Sequence, residues 1–444
     1  MERSKIMGKS ADTKDKVCPV EGKDMVCFAE GQVYSTDFNE TGLNDMVVVS
    51  GTTGCGKTTS YTESRMLHTS NTSLVVPLAK QRVKDKYAGM FKERGYKVYD
   101  LNFAHPEKGD VGYDPMDHLK NDTDVMNLGK SIVYAGGKEE TGQRSDPYWD
   151  LAAADVISAV IGLVKFYADH GTGPRSFAEV IRLINMIELK QSRSSSGCLS
   201  TSLDGLFDEI EKMDPDNQSV RLWKALKGNT SKTGGCLLAI VHAYLDGLAS
   251  DNVIGMFKKK KKLDLAMIGR EKSVVFVTTS PFDVATQNLL NIFYADLFRT
   301  LFEDAENMPG NRLAVPVHVI CDDFGCTGKI NNFDRYISVF RAAGISVSLL
   351  LQSETQLKAI YGEGPGTTII NNCDSYLYMG GTDLETCNSI SRRMNKPVNT
   401  VMSIPLEHVV LFRRGMKPIC ARRYQTYSDP VYLAAFPENI PEKE

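Results

Sequence analysis

The sequence predicts an α/β protein: a doubly wound, mostly parallel sheet interrupted by an all-α region. Short apolar runs with the character of buried parallel strands recur at 46–50, 74–76, 98–103, 274–278, 317–321, 346–351 and 376–379, with helical stretches between several of them. That alternation is the signature of a sheet covered by helices on both faces. Between 115 and 262 the character changes to helical segments such as 151–166 and 177–189, joined by Ser/Gly-rich loops such as 192–197, and no strand-like run stands out. A third observation supports the layering. Leu290, Phe293, Leu297 and Leu301 recur at intervals of three and four residues, so one helical face can lie on the sheet.

These elements divide the chain into a polar N-terminal extension (1–30), the first part of a nucleotide-binding α/β domain (31–115), an inserted all-α domain (116–262), the second part of the α/β domain (263–430) and a C-terminal tail (431–444). The composition suits this plan, because 444 residues with 42% hydrophobic content can bury a large core and ordinarily form more than one domain. No run reaches the roughly 18 consecutive apolar residues of a membrane span; the best, 152–166, is short and breaks at Lys165. The first 24 residues are polar and charged, without the apolar core of a signal peptide, which predicts a cytoplasmic location. The ten cysteines form no C-x-x-C pair and read as buried thiols. A net charge of −3 confines any nucleic-acid contact to a local basic patch.

The first strand runs directly into Gly51-Thr52-Thr53-Gly54-Cys55-Gly56-Lys57-Thr58, the full G-x-x-x-x-G-K-T pattern, with Thr59 next in line. Glycines let backbone N–H groups wrap phosphates, Lys57 can reach the β- and γ-phosphates, and the Thr58 hydroxyl can ligate Mg2+ at the start of a helix. The nucleotide-binding set is therefore Gly51, Thr53, Gly54, Cys55, Gly56, Lys57, Thr58 and Thr59. Such a loop needs a partner strand ending in an acid that holds the metal through water. Val317-His318-Val319-Ile320-Cys321-Asp322-Asp323 supplies it. Asp322 takes the metal side, and Asp323 stands where a base polarises the attacking water, its short side chain favouring slow hydrolysis.

Further stretches stand in order along the chain: Thr41-Gly42-Leu43-Asn44, Tyr113-Asp114-Pro115-Met116, Asp146-Pro147-Tyr148-Trp149 with its alanine-rich helix, and Asp322-Asp323-Phe324-Gly325 followed by Gly328-Lys329-Ile330. Arg341-Ala342-Ala343-Gly344-Ile345-Ser346-Val347 then runs on to Gln352 and Gln356-Leu357-Lys358-Ala359-Ile360-Tyr361-Gly362, with Asn372-Cys373-Asp374 and Gly380-Gly381 downstream. In this order the set resembles the type IV coupling proteins, the TraG/TraD-type ATPases of conjugative DNA transfer and type IV secretion, especially the branch in Gram-positive mobile elements. The resemblance implies a RecA-like motor domain with ATP and Mg2+ as cofactors, a hexameric ring around single-stranded DNA, and partners comprising a relaxase bound to that DNA and the components of a secretion channel. The isolated chain could instead be monomeric. Arg341 would be a finger completing a neighbouring subunit's site, and Gln352 a sensor of the γ-phosphate. On the residues alone, a surface arginine and a strand-end glutamine stay open.

Three departures from the family pattern bear on these expectations. The usual N-terminal transmembrane helices do not appear: either this is a shortened or naturally soluble form, or attachment at the inner face of the plasma membrane comes from a separate membrane subunit. Val76-Pro77-Leu78-Ala79-Lys80-Gln81 replaces the expected Asp-Pro-Lys-Gly-Glu segment, and Asp323 replaces a glutamate. The run Lys258, Lys259, Lys260, Lys261 and Lys262 is the concentrated positive charge; a solvated loop, a DNA phosphate contact and an anionic membrane contact are all open to it. Two functions follow: a motor coupling ATP hydrolysis to DNA movement, or a nucleotide-switched docking platform for a relaxase or secreted protein with weak or regulatory turnover.

Overall fold

In the computed structural model the apolar runs form, in chain order, strands Val47–Ser50 (β1), Ser73–Pro77 (β2), Lys97–Asn102 (β3), Ser273–Thr278 (β4), Val317–Cys321 (β5), Ile345–Leu351 (β6) and Ser375–Tyr378 (β7), and two strands that no apolar run announced follow, His408–Arg413 (β8) and Ile419–Arg422 (β9). The structure describes residues 22–78, 81–136, 147–190, 200–280, 282–322, 324 and 329–437. Two units emerge from their packing. One holds the chain up to Thr72 with Ser348–Thr355 and Cys373–Glu444; the other holds Ser73–Val347 with Gln356–Asn372.

In the first unit β1 lies between β6 and β7, parallel to both, with Leu351 and Tyr378 each opposite Ser50. All three strands thus end level with the glycine-rich loop, where ligands gather in open parallel sheets. Strands β8 and β9 extend this sheet antiparallel from β7. A separate hairpin pairs Met25–Ala29 with Gln32–Ser35. In the second unit β2 is flanked by β4 and β5, and β3 joins β4, all parallel. Strands β1, β2 and β5 are buried from end to end, the reason their sequences read as continuous apolar runs without alternation.

The region expected to be all-α is helical apart from a small addition: Leu189–Lys190 pairs with Ser200–Thr201, two residues a side and too short to leave a periodic trace. The loop 192–197 lies outside the described residues. The apolar run read as 152–166 is the centre of a longer helix, Pro147–Asp169, whose 23 residues are long and apolar enough by length and composition to cross a membrane. Its apolarity has a structural use within the unit. Between Ala153 and Val164 every residue but Asp155 is buried, and the helices Asp122–Gly136, Gln218–Lys227 and Ser231–Asp246 pack around it, as expected of a core helix that is apolar on most faces. The stripe at 290–301 lies within Val284–Glu306, where Leu290, Phe293, Leu297 and Leu301 are all buried.

The motif Tyr113-Asp114-Pro115-Met116 ties the second unit's helices together. Asp114, buried, accepts from its own segment's Met116 N–H at 3.0 Å and, across 62 residues, from the Ser176 hydroxyl at 2.7 Å and the Phe177 N–H at 3.1 Å. One carboxylate therefore caps two helical starts, Pro115–His118 and Phe177–Asn185. Tyr113 donates to Asp296 at 3.1 Å. Asp296 in turn accepts from Arg299 at 2.6 Å, and Arg299 also reaches Asp124 at 2.9 Å. Replacing Asp114 by Ala leaves buried donors at Phe177 and Met116 unpaired, and the expected loss is about 2–4 kcal/mol in urea unfolding at neutral pH. An unchanged denaturation midpoint would show that Asp114 does not join these helices.

Candidate functional site

The loop between β1 and the next helix is wound as phosphate cradles require. Gly54 and Gly56 sit at φ +80° and +91°, a region that residues with a Cβ avoid. Gly51 is needed for space: a Cβ there would lie 2.6 Å from the Cys55 sulfur and 3.0 Å from the Met379 Cβ. Lys57, buried, turns back across the loop and donates to the Gly51 carbonyl at 2.6 Å and the Thr52 carbonyl at 3.2 Å. This stations an ammonium inside a turn rich in backbone donors. Thr58–Thr62 continues as a π turn and Glu63–Leu67 as an α-helix. π turns are uncommon and cluster at functional sites. Thr52, Thr53 and Gly54 face solvent, so the chain end of an anion has access.

Neighbouring segments of the first unit fix this loop. The Gly51 N–H donates to Leu351 of β6, and the Thr52 N–H donates to Gly380, just past β7. Gly380 takes φ +90°, and a Cβ on Gly381 would meet the Thr52 methyl at 3.7 Å; the Gly380-Gly381 pair is thus the turn that seats the start of the loop. Asn44 and Asp374 exchange bonds, the Asn44 N–H to the Asp374 carboxylate at 2.7 Å and the Asp374 N–H to the Asn44 side chain at 3.2 Å. Two stretches quoted separately from the sequence, 41–44 and 372–374, therefore form one clasp at the base of β1. Gln352 follows the last residue of β6 and is half-buried, beside the Gly51 contact just described.

The C-terminal segment supplies contacts that sequence reasoning missed. Arg423 donates to the Cys55 carbonyl at 2.6 Å, Thr426 to the Thr59 carbonyl at 2.7 Å, and Tyr427 to Glu63 at 3.1 Å. The Arg423 bond joins residues 368 positions apart, and no local signal in the sequence marks it. Burial raises the Cys55 thiol above its ordinary range despite Lys57 and Arg423 nearby, so this thiol stays protonated. Further along, Asp429 pairs with His68 at 2.8 Å and accepts from Tyr424.

In the second unit, Asp322 follows the buried end of β5 and is partly exposed, the position expected of a strand-end acid. Asp323 lies outside the described residues. Arg341 is exposed in the last turn of the helix Phe333–Ala343. The lysine run divides in two. Lys259 donates to the Pro106 carbonyl at 2.5 Å and also to Gly109. Lys262 donates to Phe257 and lies 3.9 Å from Asp114 and 4.0 Å from Asp117. Those two serve the fold, whereas Lys258, Lys260 and Lys261 are exposed. Cysteines read as buried divide likewise: Cys27, Cys321 and Cys387 are buried, but Cys236 and Cys420 are exposed.

Fold and loop together define a P-loop nucleotide-binding protein with a mostly parallel, RecA-like core and a helical region. The chain belongs to the family described as type IV secretory system conjugative DNA transfer, which matches residues 1–403, and its role is that of a coupling protein in DNA transfer. Among solved structures it is similar to the bacterial conjugative coupling protein TrwBdeltaN70 in its trigonal form with sulphate, at 16% identity over 85% of each chain with a TM-score of 0.63. It is also similar to the plasmid coupling protein TrwB in complex with ADP and Mg2+, at 15% identity over 87% of each chain and a TM-score of 0.61. VirB4 of Thermoanaerobacter pseudethanolicus matches at 11% identity, covering 93% of this chain and 98% of that one, with a TM-score of 0.53. No curated protein matches the chain.

The His68–Asp429 pair makes the first unit's stability depend on pH. Burial opposes the imidazolium, but hydrogen bonds to Asp429 and Cys27 outweigh it and raise His68 to about 9. Burial also disfavours the Asp429 carboxylate, yet His68 and Tyr424 hold it below the usual range. A histidine raised on folding contributes stability that is complete below its ordinary value of about 6.5 and is lost as pH rises through about 9. The urea midpoint at fixed ionic strength is expected to fall between pH 6.5 and 9.5, and His68→Asn to remove most of that slope. An identical slope in the variant would assign the dependence to other groups.

Proposed function

We propose that this chain binds ATP with Mg2+ in the loop 51–58 and hydrolyses it to move single-stranded DNA toward a secretion channel. The observation that carries the reading is Lys57, whose ammonium is held over the Gly51 and Thr52 carbonyls inside a loop with two left-handed glycines. Backbone donors, a buried cation and positive φ in one turn suit a polyphosphate better than any other common ligand. The similar TrwB has been solved with ADP and Mg2+, which supports the same ligand here.

Each residue then has a task. Amides of the loop and Lys57 bind the β- and γ-phosphates. The Thr58 hydroxyl and, through water, Asp322 would hold Mg2+, which when bound neutralises charge on the phosphates. Asp323 orients and deprotonates the attacking water. Gln352, beside the loop on the end of β6, senses the γ-phosphate. Arg341, exposed at a helix end, acts as a finger on a neighbouring copy in a hexameric ring. Lys258, Lys260 and Lys261 offer exposed charge for phosphates of DNA or of a membrane surface. DNA carrying a bound relaxase is the cargo, and attachment at the inner face of the membrane runs through secretion partners. No observation favours the docking-platform reading.

The test is steady-state ATPase activity with and without single-stranded DNA at low salt. DNA is expected to stimulate turnover. Lys57→Ala should abolish it, and Arg341→Ala should lower it by roughly 10³-fold or more while leaving nucleotide binding intact. Turnover that stays at the Lys57→Ala background, even with DNA at high protein concentration, would rule out a motor made of this chain alone.

A further inference from the structure

We infer that Arg423 is a positioning residue for the phosphate loop, orienting the peptide between Cys55 and Gly56 so that the Gly56 amide is presented to a bound phosphate. The inference deepens the nucleotide-binding reading and rests on it. It starts from the planarity of the peptide group. The carbonyl of Cys55 and the N–H of Gly56 belong to one plane and point in opposite directions, since none of the described peptides is cis. Arg423 holds that carbonyl with a charge-assisted hydrogen bond of 2.6 Å. The Gly56 N–H must then point away from Arg423.

Glycine at 56 is part of the same device. A Cβ on Gly56 would lie 2.6 Å from the Arg423 Nη1 and 3.2 Å from its Cζ, so the guanidinium rests flush against the backbone of a residue whose positive φ favours glycine. Without the bond, a left-handed glycine at φ +91° would be free to flip the plane beside it, because glycine has shallow barriers. A flipped plane would turn a carbonyl, not an amide, toward an anion.

Arg423 is well placed to resist that flip. It follows β9, its own N–H donates to the Glu407 carbonyl at 2.7 Å, and it bridges to Ala29. Three residues on, Thr426 holds the Thr59 carbonyl at 2.7 Å, so the C-terminal segment fixes two carbonyls on one side of the turn. The Arg423 Nε is enclosed and finds no hydrogen-bond partner among the described residues. The guanidinium therefore keeps an unmet donor for the sake of one backbone carbonyl, an arrangement that packing alone does not require.

The experiment measures ADP binding in the presence of Mg2+, together with the melting temperature of the nucleotide-free protein, for wild type, Arg423→Met and Arg423→Lys. Met keeps the stem without a donor; Lys keeps a cationic donor. The expected result is a dissociation constant raised about 10- to 100-fold in Arg423→Met, restored to within about 3-fold of wild type in Arg423→Lys, with little change in the nucleotide-free melting temperature. ADP affinity equal to wild type in a folded Arg423→Met would overturn the inference. So would equal losses in both variants, or an affinity loss that merely follows a fall in the melting temperature. Should Arg423→Met fail to fold, Arg423→Gln, whose donor is too short to reach the carbonyl, replaces it with the same expectation. Wild type that binds no ADP would remove the nucleotide site and this inference with it, whereas binding by wild type and Arg423→Met alike would remove the inference alone.

Discussion

A phosphate cradle built from backbone amides works only if its peptide planes are fixed before the anion arrives, since each plane that must reorient costs part of the binding energy. In this protein the planes of 51–58 are fixed from several sides within one unit. The Gly51 and Thr52 amides are tied to β6 and to Gly380 beyond β7, and the Cys55 and Thr59 carbonyls are tied to Arg423 and Thr426. Much of the first unit can be understood from this constraint. The parallel strands must end level with the loop, a glycine turn must follow β7, and the antiparallel pair β8–β9 must bring Arg423 and Thr426 back to the Cys55 and Thr59 carbonyls.

The same logic of one buried polar group serving several donors governs the second unit. Asp114 caps two helical starts, and Arg299 collects Asp124, Asp296 and Glu303, with Tyr113 on the edge of the cluster. Buried groups of this kind hold elements in one arrangement because removing any partner strands the rest. The long apolar helix Pro147–Asp169 can then be core without being a membrane span. Its apolar residues from Ala153 to Val164 are buried where the neighbouring helices of the unit pack against it.

How much of this could be read from the sequence follows from the range of each interaction. The loop 51–58 was legible because its chemistry sits in eight consecutive residues, and the buried strands were legible as continuous apolar runs. Strands β8 and β9 were not: His408–Arg413 and Ile419–Arg422 carry charged ends and lie outside the parallel pattern that revealed the others. The stretches Thr41-Gly42-Leu43-Asn44 and Asn372-Cys373-Asp374 were visible as text, but only the fold shows that Asn44 and Asp374 bind each other. Arg423 carried no signal at all, because its meaning depends on a carbonyl 368 residues away. The lysine run reads as one block of charge in the sequence, whereas two of its five lysines, Lys259 and Lys262, are committed to internal oxygens.

In the folded chain the loop stands ready for a nucleoside polyphosphate. Isothermal titration of the purified protein with a non-hydrolysable ATP analogue, with and without Mg2+, tests it most directly. The expected result is one site per chain, binding strengthened by Mg2+, and a small heat-capacity change, as for a preformed loop that orders little on binding. Absence of binding at high analogue concentration, or binding accompanied by the large negative heat-capacity change of coupled folding, would contradict a cradle set in place by its neighbours.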